Sequence, residues 1–267
     1  MLKQADVVVH GVRRQTTDLP LFMQKTAADV RDPSSLEFLA TSDADTVVYS
    51  LAAANFNHES YVEAYITGLQ NTIAACEFKT VKRLIFVSST SVYHQNDGSQ
   101  VDENSPTEPT RFNGTIMLEA EKLAAATGIA TSVRFSGIYG PGRNRLIERV
   151  RNGQCTHESN TVFTNRIHSD DCSAVLAHLI MQDSLPSILL GSDSQPAKST
   201  EVEGYIADQL GIEKRYADTS AGTRRIAGSK RCCNRLLLDT GFKFNYPDYK
   251  AGYTNLLQLY KDKPRHL

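Results

Sequence analysis

The sequence has no excess of charge of either sign: 29 lysines and arginines stand against 30 aspartates and glutamates in 267 residues. No general attraction for a polyanion follows, so nucleic acid is not expected as a partner. Long apolar runs are also missing. No stretch approaches the roughly 20 residues that a membrane helix needs, and the first residues hold no apolar signal region. A soluble, cytoplasmic protein with no membrane partner is expected. The five cysteines, Cys76, Cys155, Cys172, Cys232 and Cys233, form no C-x-x-C pair, which points to reduced thiols rather than a metal or disulfide framework. Neither an internal repeat nor a low-complexity linker interrupts the chain. With 40% hydrophobic side chains it can bury a substantial core, and one compact unit is expected rather than two independent domains.

What is present alternates in a regular way. Short apolar runs at 5–12 (ADVVVHGV), 45–52 (DTVVYSLA), 83–89 (RLIFVSS) and 130–137 (ATSVRFSG) read as strands covered on both faces. Between them, 58–77 places Tyr61, Tyr65, Leu69 and Ile73 four apart on one helical face, and 114–128 ends at a glycine suited to a helix C-cap. Strands joined by crossover helices give an α/β fold, a parallel sheet with helices on both sides. Helices are further expected over 143–153, over 168–182 with Asp170 and Asp171 in the first turn, and over 199–211, which opens on Ser199 and Thr200 and closes on Gly211. Cys232 and Cys233 sit in what reads as another helix start. The basic stretch 220–231, with Arg224, Arg225, Lys230 and Arg231, reads as a solvated surface or as a face for a phosphate or carboxylate.

Four stretches, taken in order, carry a resemblance: VSSTSVY (87–93), RFSGIYGPGR (134–143), NRIHSDD (165–171) and SKRCCNRLLLDTGFKFNYPDY (229–249). Together they resemble the extended short-chain dehydrogenase/reductase family, also called the NAD-dependent epimerase/dehydratase family, and within it an atypical YeeZ-like subgroup. The resemblance implies a Rossmann-like doubly wound parallel sheet holding a dinucleotide. It also implies a smaller C-terminal lobe, residues 138–165 and 192–267, that closes over a small-molecule substrate, often a nucleotide sugar. In many relatives the helices at 58–77 and 114–128 form a homodimer face.

Two departures from that family stand out. The first is in its proton-handling pair, a Tyr and a Lys one helical turn apart, in which the Lys lowers the Tyr pKa. Aligning LEAE (118–121) with the family pattern puts Asn113 in the Tyr place and Met117 in the Lys place, and neither side chain can do that work. Both are expected near Ser89. Ser89 keeps the position that orients a substrate hydroxyl, although it reads equally as the cap of a strand end. Tyr93, and beside it His94, are the remaining candidates for catalysis.

The second departure is at the beginning. A dinucleotide fold opens with a strand and a glycine-rich turn whose N–H groups hold the pyrophosphate, and a ribose-reading residue follows roughly 20 residues later. Here the chain opens at what is already the second strand. The gene's true start lying upstream and a loss of that strand both remain open. At the end of the opening strand Arg13 and Arg14 occupy the ribose-reading position, where a basic pair favours NADP over NAD. The resemblance places Asp29 and Val30 beside the adenine and Leu51, Ala52 and Ala53 at the turn alongside the cofactor, with Ser88, Phe135 and Ser136 completing the contacts. The glycines of 136–143 do not replace the missing loop, because Pro141 removes a donor, so weak or lost dinucleotide binding is expected of the chain as it stands. An atypical NAD(P)-dependent epimerase, dehydratase or reductase, a non-catalytic NADP-binding protein and an inactive truncated product are the three readings.

Overall fold

The computed structural model describes residues 7–76, 80–159, 162–216 and 228–261. In chain order its strands are β1 (His10–Arg13), β2 (Gln24–Ala27), β3 (Thr46–Tyr49), β4 (Arg83–Ser89), β5 (Gln100–Val101) and β6 (Ala130–Phe135). They continue with β7 (Gly137–Tyr139), β8 (Phe163–Thr164), β9 (Arg166–His168), β10 (Ile188–Gly191), β11 (Ala197–Lys198) and β12 (Arg231–Cys232). The helices are α1 (His58–Val62), α2 (Gly68–Ala75), α3 (Phe112–Ala125), α4 (Arg145–Arg151), α5 (Ser169–Ile180), α6 (Ser199–Leu210), α7 (Arg235–Asp239) and α8 (Tyr249–Lys261).

The chain divides into two compact units. The first takes in Met1–Val92, Thr107–Arg134 and Leu176–Leu189, and the second Tyr93–Pro106, Phe135–Val175 and Leu190–Leu267. The second unit therefore draws on more of the chain than the expected lobe at 138–165 and 192–267, including the segment before α3.

The first unit holds most of a four-stranded sheet in the order β10-β6-β4-β3. β3 runs parallel to β4 in the register Thr46↔Arg83 to Tyr49↔Phe86. Ser132 N–H donates to Ser187 O and Ser136 N–H to Gly191 O, so β6 and β10 advance together and are parallel as well. The centre of β4, Leu84, Ile85 and Phe86, is buried, as a near-continuous apolar run in such a sheet should be. Each such side chain contributes about 1.5–3 kcal/mol of burial.

β1 and β2 form a separate two-stranded parallel sheet, His10↔Gln24 to Arg13↔Ala27. This corrects two expectations. The strand expected over 5–12 runs over 10–13, with residues 5 and 6 outside the described residues, and it is not covered on both faces. Three of its four residues are exposed, because among the described residues β2 is its only partner.

The helix expected over 58–77 has an interruption. After α1, residues Glu63–Thr67 widen into a π turn before α2 resumes, and residue 77 lies outside the described residues. The cause is tertiary. Tyr49 on β3 donates its hydroxyl to Ala64 O at 2.6 Å, while Gly68 N–H reaches past that carbonyl to Glu63 O. Gly68 is needed for this approach, since a Cβ there would stand 2.6 Å from both the Tyr49 hydroxyl and Val30 Cγ2. The wider turn shifts the phase of the helix, so the buried face of α2 is Gly68, Leu69 and Thr72 rather than a stripe running on to Ile73.

The second unit packs α4, α6 and α8 around Ile147, Val150, Val202, Ile206, Tyr253 and Leu256. α6 ends on Gly211 in the left-handed conformation, φ 66°, as its sequence predicts. Three small sheets complete the unit: β7 parallel to β9, β8 antiparallel to β11 and β5 parallel to β12. The last pairing corrects the reading of the double cysteine. Cys232 lies in a strand against Val101, and the helix begins only at Arg235.

Candidate functional site

In the first unit the ends of β1, β2 and β3 surround a cavity of about 480 Å³, lined by Val12, Arg13, Arg14, Gln15, Ala28, Asp29, Val30 and Leu51. Strand ends gather there because parallel strands release their chains on the same side. Five of the residues expected to meet a dinucleotide, Arg13, Arg14, Asp29, Val30 and Leu51, thus line the same cavity. Val12, Gln15 and Ala28 join them. Each is adjacent to an expected residue, and the alternation along the strand is the signal that would have found Val12 and Ala28.

The cavity is electrically structured. Arg31 donates Nε to Asp29 Oδ1 at 3.0 Å and Nη2 to Oδ2 at 2.6 Å, and its N–H donates to Oδ1 as well. These bonds, with a smaller contribution from Arg14, hold the Asp29 carboxyl down at about 2. Val30 is fixed from behind, its carbonyl accepting from Asn71 Nδ2 at 2.8 Å. The volume falls in the range of small-molecule sites, with apolar walls for a purine and two guanidinium groups for phosphate. The residues therefore fit the adenosine end of a dinucleotide. Ala52 and Ala53 follow Leu51 without lining the cavity, and Ala53 N–H meets the Tyr65 hydroxyl.

The second cluster lies at the end of β4. α3 starts at Phe112, earlier than the 114 expected, which puts Asn113 in its first turn. Gly114 lets that turn sit on the Ser91 carbonyl, and a Cβ there would also stand 2.7 Å from Pro109 Cβ. Asn113, Met117 and Glu121 follow at four-residue spacing on one helix face. Glu121 ties that face to the sheet. It accepts from Ser88 Oγ at 2.5 Å, from Arg134 Nε at 2.9 Å and from Arg134 Nη2 at 2.7 Å, all buried. The Ser88 side chain is thus part of the interior and is not offered to a ligand. Ser89 Oγ accepts from Ser91 N–H at 3.1 Å. Met117 is buried, and Asn113 Oδ1 is buried with no hydrogen-bond partner.

Three expected residues belong to the second unit. Tyr93 is buried and donates its hydroxyl to Asp102 O at 2.8 Å, which commits that oxygen to a turn. Phe135 packs against Gly191, where a Cβ would stand 2.6 Å from its Cε1. Ser136 N–H donates to Gly191 O, and its hydroxyl is buried without a partner. Of the basic stretch, Arg224 and Arg225 lie outside the described residues. Lys230 is buried, contrary to a solvated face, because its backbone is drawn in by Asn165 Nδ2 at 2.9 Å. Arg231 lies over the Phe163 ring and donates Nε to Gly98 O. Among the described residues no helix is long and apolar enough to cross a membrane, and no cluster of His, Cys, Asp or Glu has the arrangement of a metal site.

Comparison with known proteins agrees with this geometry. The sequence profile of the NAD dependent epimerase/dehydratase family matches residues 1–183. A solved structure from Methylobacillus flagellatus, assigned to the NAD-dependent epimerase/dehydratases, is 36% identical, covers 98% of this chain and 93% of its own, and superposes with a TM-score of 0.81. Protein YeeZ of Escherichia coli K12 is 28% identical over 214 residues, 78% of this chain and 74% of that protein. The fold is shared more widely: a Thermus thermophilus UDP-glucose 4-epimerase solved with NAD is only 17% identical, yet matches 98% of this chain and 93% of its own with a TM-score of 0.77. A Rossmann-like parallel sheet, the strand-end cavity and a profile match over more than half the chain together assign it: the protein belongs to the NAD-dependent epimerase/dehydratase family, the extended branch of the short-chain dehydrogenases/reductases.

Proposed function

We propose that the chain binds an NAD(P) dinucleotide through the first unit, NADP in preference to NAD, and takes a sugar-like small molecule with a proton-handling set unlike that of its relatives. The observation that carries this reading is the cavity at the ends of β1, β2 and β3, where Arg13, Arg14, Asp29, Val30 and Leu51 meet. Val30 and Leu51 offer apolar contact to a purine. Arg13 and Arg14 offer two guanidinium groups, each able to donate in parallel to a 2′-phosphate. A bound nicotinamide would supply hydride transfer.

The sugar-like substrate is supported by fold relatives such as the UDP-glucose 4-epimerase of Thermus thermophilus. Proton handling is the weaker half of an enzyme here. Asn113 has no ionisable group and Met117 no charge, so Ser89 is the side chain left to orient a hydroxyl, with its Oγ already held by Ser91 N–H. Tyr93 would first have to release Asp102 O. These replacements favour binding without rapid turnover as the second reading.

Calorimetric titration with NADP and NAD tests the proposal. NADP binding that weakens by about 10²- to 10⁴-fold in Arg13→Ala/Arg14→Ala, with NAD little changed, is the expected result; two lost charge-assisted bonds are worth roughly 1.5–3 kcal/mol each. Equal effects on both nucleotides would remove the role given to the two arginines. A panel of nucleotide sugars, with the sugar products separated by chromatography and nicotinamide absorbance followed for net redox change, then separates turnover from binding alone.

A further inference from the structure

The geometry points to Asp193 as a buried carboxylic acid that stays neutral in the folded second unit and loosens that unit when it ionises. Asp193 is fully buried. Its Oδ1 accepts a bond from Gln195 N–H at 3.2 Å, and its Oδ2 has no partner. The field of Arg166 favours the carboxylate, but its guanidinium is engaged elsewhere: Nη2 donates to Thr164 Oγ1, the guanidinium carbon stands 5.5 Å from the Tyr249 ring centre, and Nη1 has no hydrogen-bond partner. The two groups do not compensate each other directly.

The other groups facing Asp193 come from five places. Asp171 on α5 and Asp248 ahead of α8 oppose its ionisation. Tyr139 on β7, Tyr253 on α8 and Cys232 on β12 all feel its charge, which raises their own pKa values. The Asp171 carboxylate is held by other groups, accepting from Asn245 N–H, Asn245 Nδ2 and Tyr246 N–H at 2.8–3.0 Å. Burial, only partly countered by Arg166, pushes the Asp193 carboxyl up to about 7.

The position explains why ionisation would be felt widely. Asp193 N–H donates to Arg166 O, Ser194 N–H to Pro247 O, and Asn234 Nδ2 to Ser192 O. Residues 192–195 thus join β9, β10, the turn before α7 and the chain leading into α8. A charge forming inside this knot must draw in water or displace one of its strands.

The sign follows from linkage. A carboxyl whose folded pKa lies above its ordinary value adds stability that is complete below about 4 and is lost as pH rises through about 7. His168, whose pKa burial lowers, acts in the opposite sense at acid pH, so the quantity to measure is the difference between wild type and Asp193→Asn in the full chain. The folding equilibrium constant of the wild type should fall relative to the variant by on the order of a hundred- to a thousandfold between pH ~4.5 and ~7.5. Parallel pH profiles would overturn the proposal. If the variant does not fold, infrared spectra of wild-type protein carrying labelled aspartate decide the matter. A protonated carboxyl band persisting to pH ~6 and vanishing towards ~8 supports it, and no such band above pH ~5 refutes it.

Discussion

The buried Glu121–Arg134 pair should be the most sensitive point of the first unit. Replacing Glu121 by Gln keeps the shape and one acceptor but removes the charge, and Arg134 is left with only 3% of its side chain exposed. Three bonds of 2.5–2.9 Å converge on that carboxylate, so little slack exists for a neutral amide whose nitrogen would face two donors. Removing one partner of such a pair typically costs about 3–5 kcal/mol, because the other charge is left buried and uncompensated. Against a total stability of about 5–15 kcal/mol this is a large fraction. With a urea slope of roughly 2 kcal/mol/M the midpoint of unfolding should fall by about 1.5–2.5 M. Urea titration followed by circular dichroism gives the number. The companion Glu121→Leu/Arg134→Met, which removes both charges, should recover most of the loss. A shift below about 0.5 M for Glu121→Gln, or a double variant as unstable as the single one, would show that Glu121 does not hold α3 to β6 in this way.

Two more outcomes follow from the packing. Tyr49→Phe should cost about 1 kcal/mol and Gly68→Ala about 1–3 kcal/mol; amide exchange slowing at Glu63–Thr67 in Tyr49→Phe would mark the π turn relaxing to an α turn, and no change there would detach the turn from that hydroxyl. Met117→Lys alone, placing an ammonium at a buried position, should lower stability by about 2–4 kcal/mol in the same urea assay, whereas an unchanged midpoint would mean that the helix face around Met117 admits water.

The sequence made the central strands and α3 legible because their signal is local. Within RLIFVSS (83–89) the four residues 84–87 are apolar without interruption, and the period of 114–128 is helical. β2 and β10 escaped for opposite reasons. QKTA (24–27) has no apolar pattern at all, and ILLG (188–191) is too short to separate from its flanking proline and glycine. The π turn was beyond reach because its cause, the Tyr49 hydroxyl, sits on another element. Within the site, Arg13, Arg14, Asp29, Val30 and Leu51 were found through family position, not through any property of the residues alone. Ser88 shows the limit of that route: its position was right for a strand end, but its partner Glu121 is 33 residues away and turns the hydroxyl inward. Lys230 shows another, since charge patterning cannot see that this one residue of a basic stretch is buried, with its carbonyl held by Asn165.

The separation of β1–β2 from the four-stranded sheet has a thermodynamic meaning. Among the described residues no backbone ladder joins the two; a side-chain link runs from Asn71 on α2 to the carbonyl of Val30, just after β2. Residues His10–Ala27 are therefore expected to open at a lower free energy than the larger sheet. That fragment carries Arg13 and Arg14, whereas Leu51, which lines the same cavity, follows β3. A nucleotide touching both Arg13 and Leu51 would act as a staple across the gap. Its binding free energy would appear first as slowed amide exchange in β1 and β2, rising with ligand concentration as RT ln(1 + [L]/Kd), so the least anchored strands of the protein would also be its most direct reporters of occupancy.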